Sequence, residues 1–248
     1  LYSVNLYDSL LFTFVMESLF LNLILWVYLI YKKEINFKSI GLEFFDKKKV
    51  RYISYVWLNS VMGIVYLKVG QVTVANSLGE KELGFYMFAS KLCEIGLLLP
   101  SLILSSLSAY IYSCNEKQMF KMYGYITVGS VLMTVIMLLS TLLMPKFIPE
   151  YTNSVQLISI MSIGFLFSNY KVMSGKMIIK EGGGDLLYIR TFISLLFSVF
   201  ITYILVYLYG VTGAAVAQLL IFIFTGYFLD SIFSDTRKYN KYKFRYKL

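Results

Sequence analysis

The sequence predicts an all-α integral membrane protein with seven transmembrane helices. Three observations point there. Of 248 residues, 58% are hydrophobic and 15% charged, against about 25% charged in an ordinary soluble domain. The apolar residues fall in long blocks, each long enough for a hydrocarbon core that takes about 20 helical residues. The segments between blocks alternate between basic and nearly neutral.

The blocks run from Leu10 to Tyr31, Tyr52 to Leu78, Gly84 to Ser113, Met122 to Met144, Ser154 to Ile179, Leu186 to Tyr209 and Val211 to Phe233. Inside lipid every backbone N–H and C=O must be paired within the protein, which leaves helices or closed barrels. Barrel strands alternate apolar and polar residues over about ten positions, and these blocks do not alternate.

The connections fix an orientation. The first carries Lys32, Lys33, Lys38, Lys47, Lys48, Lys49 and Arg51. The third carries Lys117 and Lys121. The fifth carries Lys180, with Lys176 and Arg190 at its edges, and the tail is rich in Lys and Arg. The second has Lys81 between Glu80 and Glu82, the fourth has Lys146, and the sixth, around Gly210, has no charge. Basic connections face the cytoplasm, so the carboxyl terminus is expected there and the first helix runs from outside to inside. Trp26, Tyr28, Tyr31, Tyr52 and Tyr55 flank the first connection at interface level. Residues 10–31 are too long and too aromatic for a signal peptide. The start at Leu1 rather than Met suggests a chain that begins inside a longer protein.

Composition excludes several chemistries. The net charge of +9 lies in connections and tail, which favours anionic headgroups over nucleic acid as partner. There is no His, so the commonest metal ligand and general base is missing. Cys93 and Cys114 sit in or beside one apolar block and read as small hydrophobes, not a disulfide or zinc site. Gly182, Gly183 and Gly184 form a turn and lack the Lys-Ser/Thr of a phosphate loop. No metal and no cofactor is expected. The outside connections are short turns, with no room for a catalytic domain.

Charges inside spans cost about 2.5–3.5 kcal/mol each on insertion scales and need a partner or a wet cavity. Glu17, Lys68, Lys91 and Glu94 are the deep ones, and Lys171, Lys176 and Arg190 lie nearer the cytoplasmic end. Lys91, Glu94, Ser101, Ser105 and Ser108 share an arc of about 100° at 3.6 residues per turn. Lys68, Gln71 and Ala75 share another face, and Thr191, Ser194, Ser198 and Thr202 form a stripe beside Arg190. Such stripes turn inward, to a cavity or a helix contact. The plainer alternatives are helix packing by Ser and Thr, snorkelling of the inner cations, a local Lys91–Glu94 pair and a structural interhelix pair for Lys68 or Glu17. Pro100, mid-block, removes a backbone hydrogen bond and is expected to kink its helix.

The stretch from Gln71 to Ser113 resembles helices of polysaccharide (O-antigen type) flippases, within the multidrug/oligosaccharidyl-lipid/polysaccharide exporter superfamily. The carrying residues are Leu78-Gly79, Gly84 and Tyr86, Ala89, Lys91-Leu92, and Pro100 before a Ser-rich run. Arg190-Thr191 and Tyr209-Gly210-Val211-Thr212-Gly213-Ala214-Ala215 resemble the close of the same family. Two departures stand out. Many relatives carry an Asp just before the Gln71 position, where this chain has Gly70; the common Arg at the Lys91 position is Lys, which loses two-pronged phosphate recognition.

The resemblance implies a two-lobe, MATE-like transporter of which this chain holds the carboxyl-terminal half. Residues 1–34 are then the last helix of the amino-terminal lobe, 35–50 a basic cytoplasmic linker, 51–234 a six-helix lobe and 235–248 a basic cytoplasmic tail. The implied function is not enzymatic. It is translocation of a polyprenyl-pyrophosphate-linked oligosaccharide across the inner membrane by alternating access. Partners would be that lipid-linked substrate, membrane lipids and the missing lobe. Substrate-binding candidates are Lys68, Lys91, Lys171, Lys176 and Arg190; Glu17 and Glu94 are candidates for ion coupling or counter-ions. The alternatives are a drug or metabolite exporter of the superfamily and, further off, a polysaccharide polymerase or ligase.

Overall fold

The computed structural model describes residues 47–244. The first apolar block, with Glu17, lies outside the described residues. From Arg51 onward the described residues belong to one compact unit, which contains every helix below except the first turn of α1.

The helices are α1 (Lys47–Leu78), α2 (Glu80–Ser106), α3 (Ser108–Ser113), α4 (Glu116–Phe147), α5 (Ser154–Ser162), α6 (Phe165–Lys180), α7 (Gly184–Ile223), α8 (Leu229–Ile232) and α9 (Ser234–Phe244). A 3₁₀ turn at Pro149–Tyr151 precedes α5, and a π-helical stretch, Phe224–Phe228, joins α7 to α8. No strand occurs among the described residues.

Each boundary has a local cause. Gly79, at φ 85°, turns α1 into α2 in one residue, and Glu80 and Glu82 then meet the positive end of α2. Asn115 caps α4: its side chain accepts from the Gln118 N–H at 3.0 Å, and the Gln118 side chain accepts from the Asn115 N–H at 2.9 Å. α2 passes through Pro100 and stops at Ser106, so the break falls at Leu107, beyond the proline. The fifth apolar block is a bent pair, α5 and α6, at 44°.

Among the described residues four helices are long and apolar enough to cross a membrane, or five with the bent pair counted as one. The longest of them, Gly184–Ile232, has 49 residues. As one rod it would reach about 74 Å, more than twice a hydrocarbon core of about 30 Å. It is not one rod. Gly210 sits at φ 62°, a conformation L side chains avoid, and the chain reverses there. A Cβ on Gly213 would overlap the Leu205 carbonyl, a contact that a continuous helix, with eight residues of rise between them, does not allow. Gly213, Ala214, Ala215 and Ala217 are all buried and let the two limbs approach closely.

The bundle has two packed layers along its length. One centres on Tyr86, Met137, Leu157, Phe165, Val206 and Ala214. The other centres on Ile111, Tyr123, Tyr170, Met173, Ile178 and Tyr239. Polarity is distributed the other way round from a water-soluble bundle. Ser130, Ser162, Asn169, Ser174, Arg190, Ser194, Ser198 and Asp230 are buried, while Leu98, Leu102, Leu139, Leu142, Val199 and Phe200 are exposed. The apolar windows of α1 and α4 are only 17% buried within the bundle. Such a surface fits hydrocarbon and not water.

Candidate functional site

Two adjoining cavities lie between α1, α2, α6 and α7. The first, about 430 Å³, is lined by Asn59, Ser60, Lys171, Lys176, Arg190, Thr191 and Ser194, with apolar walls from Tyr66, Leu67, Leu97 and Phe222. The second, about 330 Å³, is lined by Ser90, Glu94, Ser101, Asn169 and Gln218. Leu67, Leu97, Ser168, Val172 and Phe222 border both.

The first cavity collects three of the cations that the sequence singles out. Lys171 places its ammonium 4.0 Å from the centre of the Tyr66 ring, a cation–π contact. Lys176 donates to the Ser108 hydroxyl at 2.7 Å. Among the described residues neither pairs with a carboxylate. The Thr191–Ser194 edge of the α7 stripe faces the cavity, and Thr191 donates to the Asn59 side chain of α1. Further along, Ser198 donates to the Tyr66 carbonyl at 3.4 Å. The stripe therefore does two jobs, lining the cavity at one end and tying α7 to α1 along its length.

Lys68 and Lys91 lie elsewhere. Both approach Glu94, Lys91 at 2.6 Å and Lys68 at 3.7 Å. Their side chains remain 43% and 55% exposed, and that of Glu94 37%. The local i,i+3 pair and the interhelix pair are thus both present, meeting on one carboxylate at the second cavity. The serine arc continues with Ser101 on that cavity, but the break at Leu107 moves Ser108 onto α3, where it meets Lys176. Gly70, where an acidic residue is common in the resembling family, packs against Tyr86: a Cβ there would overlap the phenol. A carboxylate at that position would have to displace the Tyr86 ring.

Arg190 belongs to a network that reading the sequence block by block leaves out. Its guanidinium pairs with Oδ1 of Asp230. Oδ2 accepts from Ser174 at 2.6 Å and from the Lys243 ammonium at 2.5 Å. The Tyr123 phenol lies 3.4 Å from the Ser174 hydroxyl. Lys243 also donates to the Gly226 carbonyl at 2.6 Å and to the Asn240 side chain at 2.8 Å. Three acceptors match the three donors of an ammonium. The π-helical stretch makes this possible, since it loosens the usual pairing of the carbonyls it contains, and Gly226 lets α6 in close: a Cβ there would overlap the Phe167 carbonyl. Burial pushes the Lys243 ammonium below its ordinary value, and the Asp230 carboxylate pulls it back up. The side chains of Asp230 and Lys243 are 0% exposed and that of Arg190 5%.

A sequence signal for this pair exists. Arg190 stands twenty residues before Gly210 and Asp230 twenty after it (210 − 190 and 230 − 210). A reversal at Gly210 therefore sets them level on antiparallel limbs. No group of three or more metal-ligating side chains occurs among the described residues. Cys93 and Cys114 are free and buried.

Comparison with protein-family models, with curated proteins and with solved structures gives no match to this chain.

Proposed function

We propose that this chain is the carboxyl-terminal lobe of a flippase for polyprenyl-pyrophosphate-linked oligosaccharides in the inner membrane. The supporting observation is the first cavity: Lys171, Lys176 and Arg190 all line it between apolar helices, with Asp230 as the one carboxylate pairing with any of them among the described residues. A hydrated, multiply charged headgroup cannot cross hydrocarbon unaided. Fixed cations replace part of its water, and the polyprenyl tail stays in the bilayer.

The membrane arrangement in this reading has six crossings within residues 51–233: α1, α2, α4, the bent α5–α6 pair, and the two limbs that meet at Gly210. The first apolar block adds a seventh. Loop charge sets the carboxyl terminus in the cytoplasm, which puts Lys171, Lys176 and Arg190 nearer the inner side and the Lys68–Glu94–Lys91 cluster nearer the outer side. A bent helix beside a midplane cavity is a recurrent feature of alternating-access transporters. The missing lobe would close the second cavity and cover its half-exposed charges. A cation-rich cavity weighs against export of cationic drugs.

The test is transport by the whole protein in cells whose own flippase is deleted. Lys171→Ala with Lys176→Ala is expected to abolish surface polysaccharide while leaving the protein inserted at normal abundance, and Lys171→Arg with Lys176→Arg to retain it. Surface polysaccharide at the unaltered level in the double alanine variant would refute the reading.

A further inference from the structure

Arg190 is held less tightly than its burial suggests. It touches Asp230 through one nitrogen only, and its Nε, although buried, has no hydrogen-bond partner among the described residues. A guanidinium facing a carboxylate ordinarily closes a two-pronged fork, with one N–H on each oxygen. Here the second oxygen is taken: Oδ2 of Asp230 already accepts from Lys243 and Ser174. Lys243 is not a cavity residue. It reaches Asp230 from α9, which is fastened over this end of the bundle by Lys238 on Glu181 at 2.7 Å and by Tyr242 against Phe120 and Tyr123.

The charges agree with this geometry. Arg190 and Lys243 contribute two positive charges against one negative from Asp230, so the buried cluster keeps one positive charge in excess. Uncompensated charge in a low-dielectric site is costly, and Arg190 is the cluster member that lines the cavity. An anion at the cavity face of Arg190 would supply the missing negative charge.

We propose that Lys243 is a positioning residue for an anion subsite at Arg190. By occupying Oδ2 of Asp230, it keeps the Arg190–Asp230 fork open and leaves the cavity-lining arginine with one net positive charge for a phosphate-type group. Without Lys243, Asp230 closes onto both nitrogens and neutralises the arginine. The tail helix thereby becomes part of substrate recognition, without contacting substrate. This rests on the reading that the cavity receives a phosphorylated headgroup.

The experiment titrates inorganic pyrophosphate, by calorimetry, into the whole protein held in lipid nanodiscs. Lys243→Met is expected to weaken binding about tenfold, in the range of ordinary coupling between sites. Lys243→Met combined with Asp230→Asn returns the cluster to one positive charge and is expected to bind within about threefold of the unaltered chain. A merely structural lysine predicts the opposite, since the double variant loses more contacts than the single one. Unchanged affinity in Lys243→Met, or a double variant as weak as the single, overturns the inference and leaves the cavity reading standing. Absence of binding by the unaltered chain overturns both. Should Lys243→Met fail to fold, the double variant decides alone: near-normal binding supports the inference and lost binding overturns it.

Discussion

Two clusters in this bundle have the same composition and opposite surroundings. In each, one carboxylate stands between two cations: Glu94 between Lys68 and Lys91, and Asp230 between Arg190 and Lys243. The Asp230 cluster is closed, with side-chain exposures of 5% or less and additional bonds from Ser174, Gly226 and Asn240. The Glu94 cluster is open, with exposures from 37% to 55%. Charges inside a span need a partner or water. The first cluster finds its partners within residues 51–244, whereas the second is left facing whatever fills or covers the second cavity. The comparison separates a cluster whose carboxylate is closed off inside the lobe, and which meets the first cavity through Arg190 alone, from a cluster left half-exposed at the second cavity.

The sharpest way to break this distinction is to remove each carboxylate. Asp230→Ala strands two buried cations, and loss of one member of a buried pair typically costs about 3–5 kcal/mol. The variant is expected to melt far below the unaltered chain, or to fail to accumulate in the membrane, as read by a thermal-shift assay in detergent. A melting point close to the unaltered one would mean that the cluster is wet and the two sites are alike. Glu94→Gln removes a carboxylate from a half-exposed site, where such pairs contribute about 1 kcal/mol or less. It is expected to leave the melting point nearly unchanged while altering transport by the whole protein. A melting loss as large as that of Asp230→Ala would erase the difference between the clusters.

The two clusters also differ in how far they could be read from sequence. Lys91 and Glu94 are three residues apart on one helix, so their pairing follows from helical spacing. Lys171, Lys176 and Arg190 stand out as cations at the edge of apolar blocks, and the cavity does gather them. The turn at Gly182–Gly184 and the break at Gly210 follow from glycine beside apolar blocks. Asp230, by contrast, sits near the end of the last block, where a carboxylate reads as an interface residue. Only the equal spacing of Arg190 and Asp230 about Gly210 betrays the pair. Lys243 lies in a basic tail whose charges all look alike in sequence. Its burial depends on α9 folding back under the bundle, a long-range contact that no local pattern encodes. The bend between α5 and α6 is equally hidden. No proline marks it; Gly164 lies there, close against Phe222 of the last limb.

In the proposed function the joined cavities form a polar, substrate-accessible path through an otherwise lipid-facing bundle. Ser168 borders both cavities, whereas Phe200 points outward and is 66% exposed. The direct measurement uses the whole protein in membranes, with Cys93 and Cys114 replaced by alanine, and a negatively charged, membrane-impermeant thiol reagent. Ser168→Cys is expected to react, and to be protected by a polyprenyl-pyrophosphate-linked sugar. Phe200→Cys, buried in lipid, is expected to stay unmodified with or without it. A Ser168→Cys protein that never reacts, or reacts equally with the lipid-linked sugar present, would contradict the account.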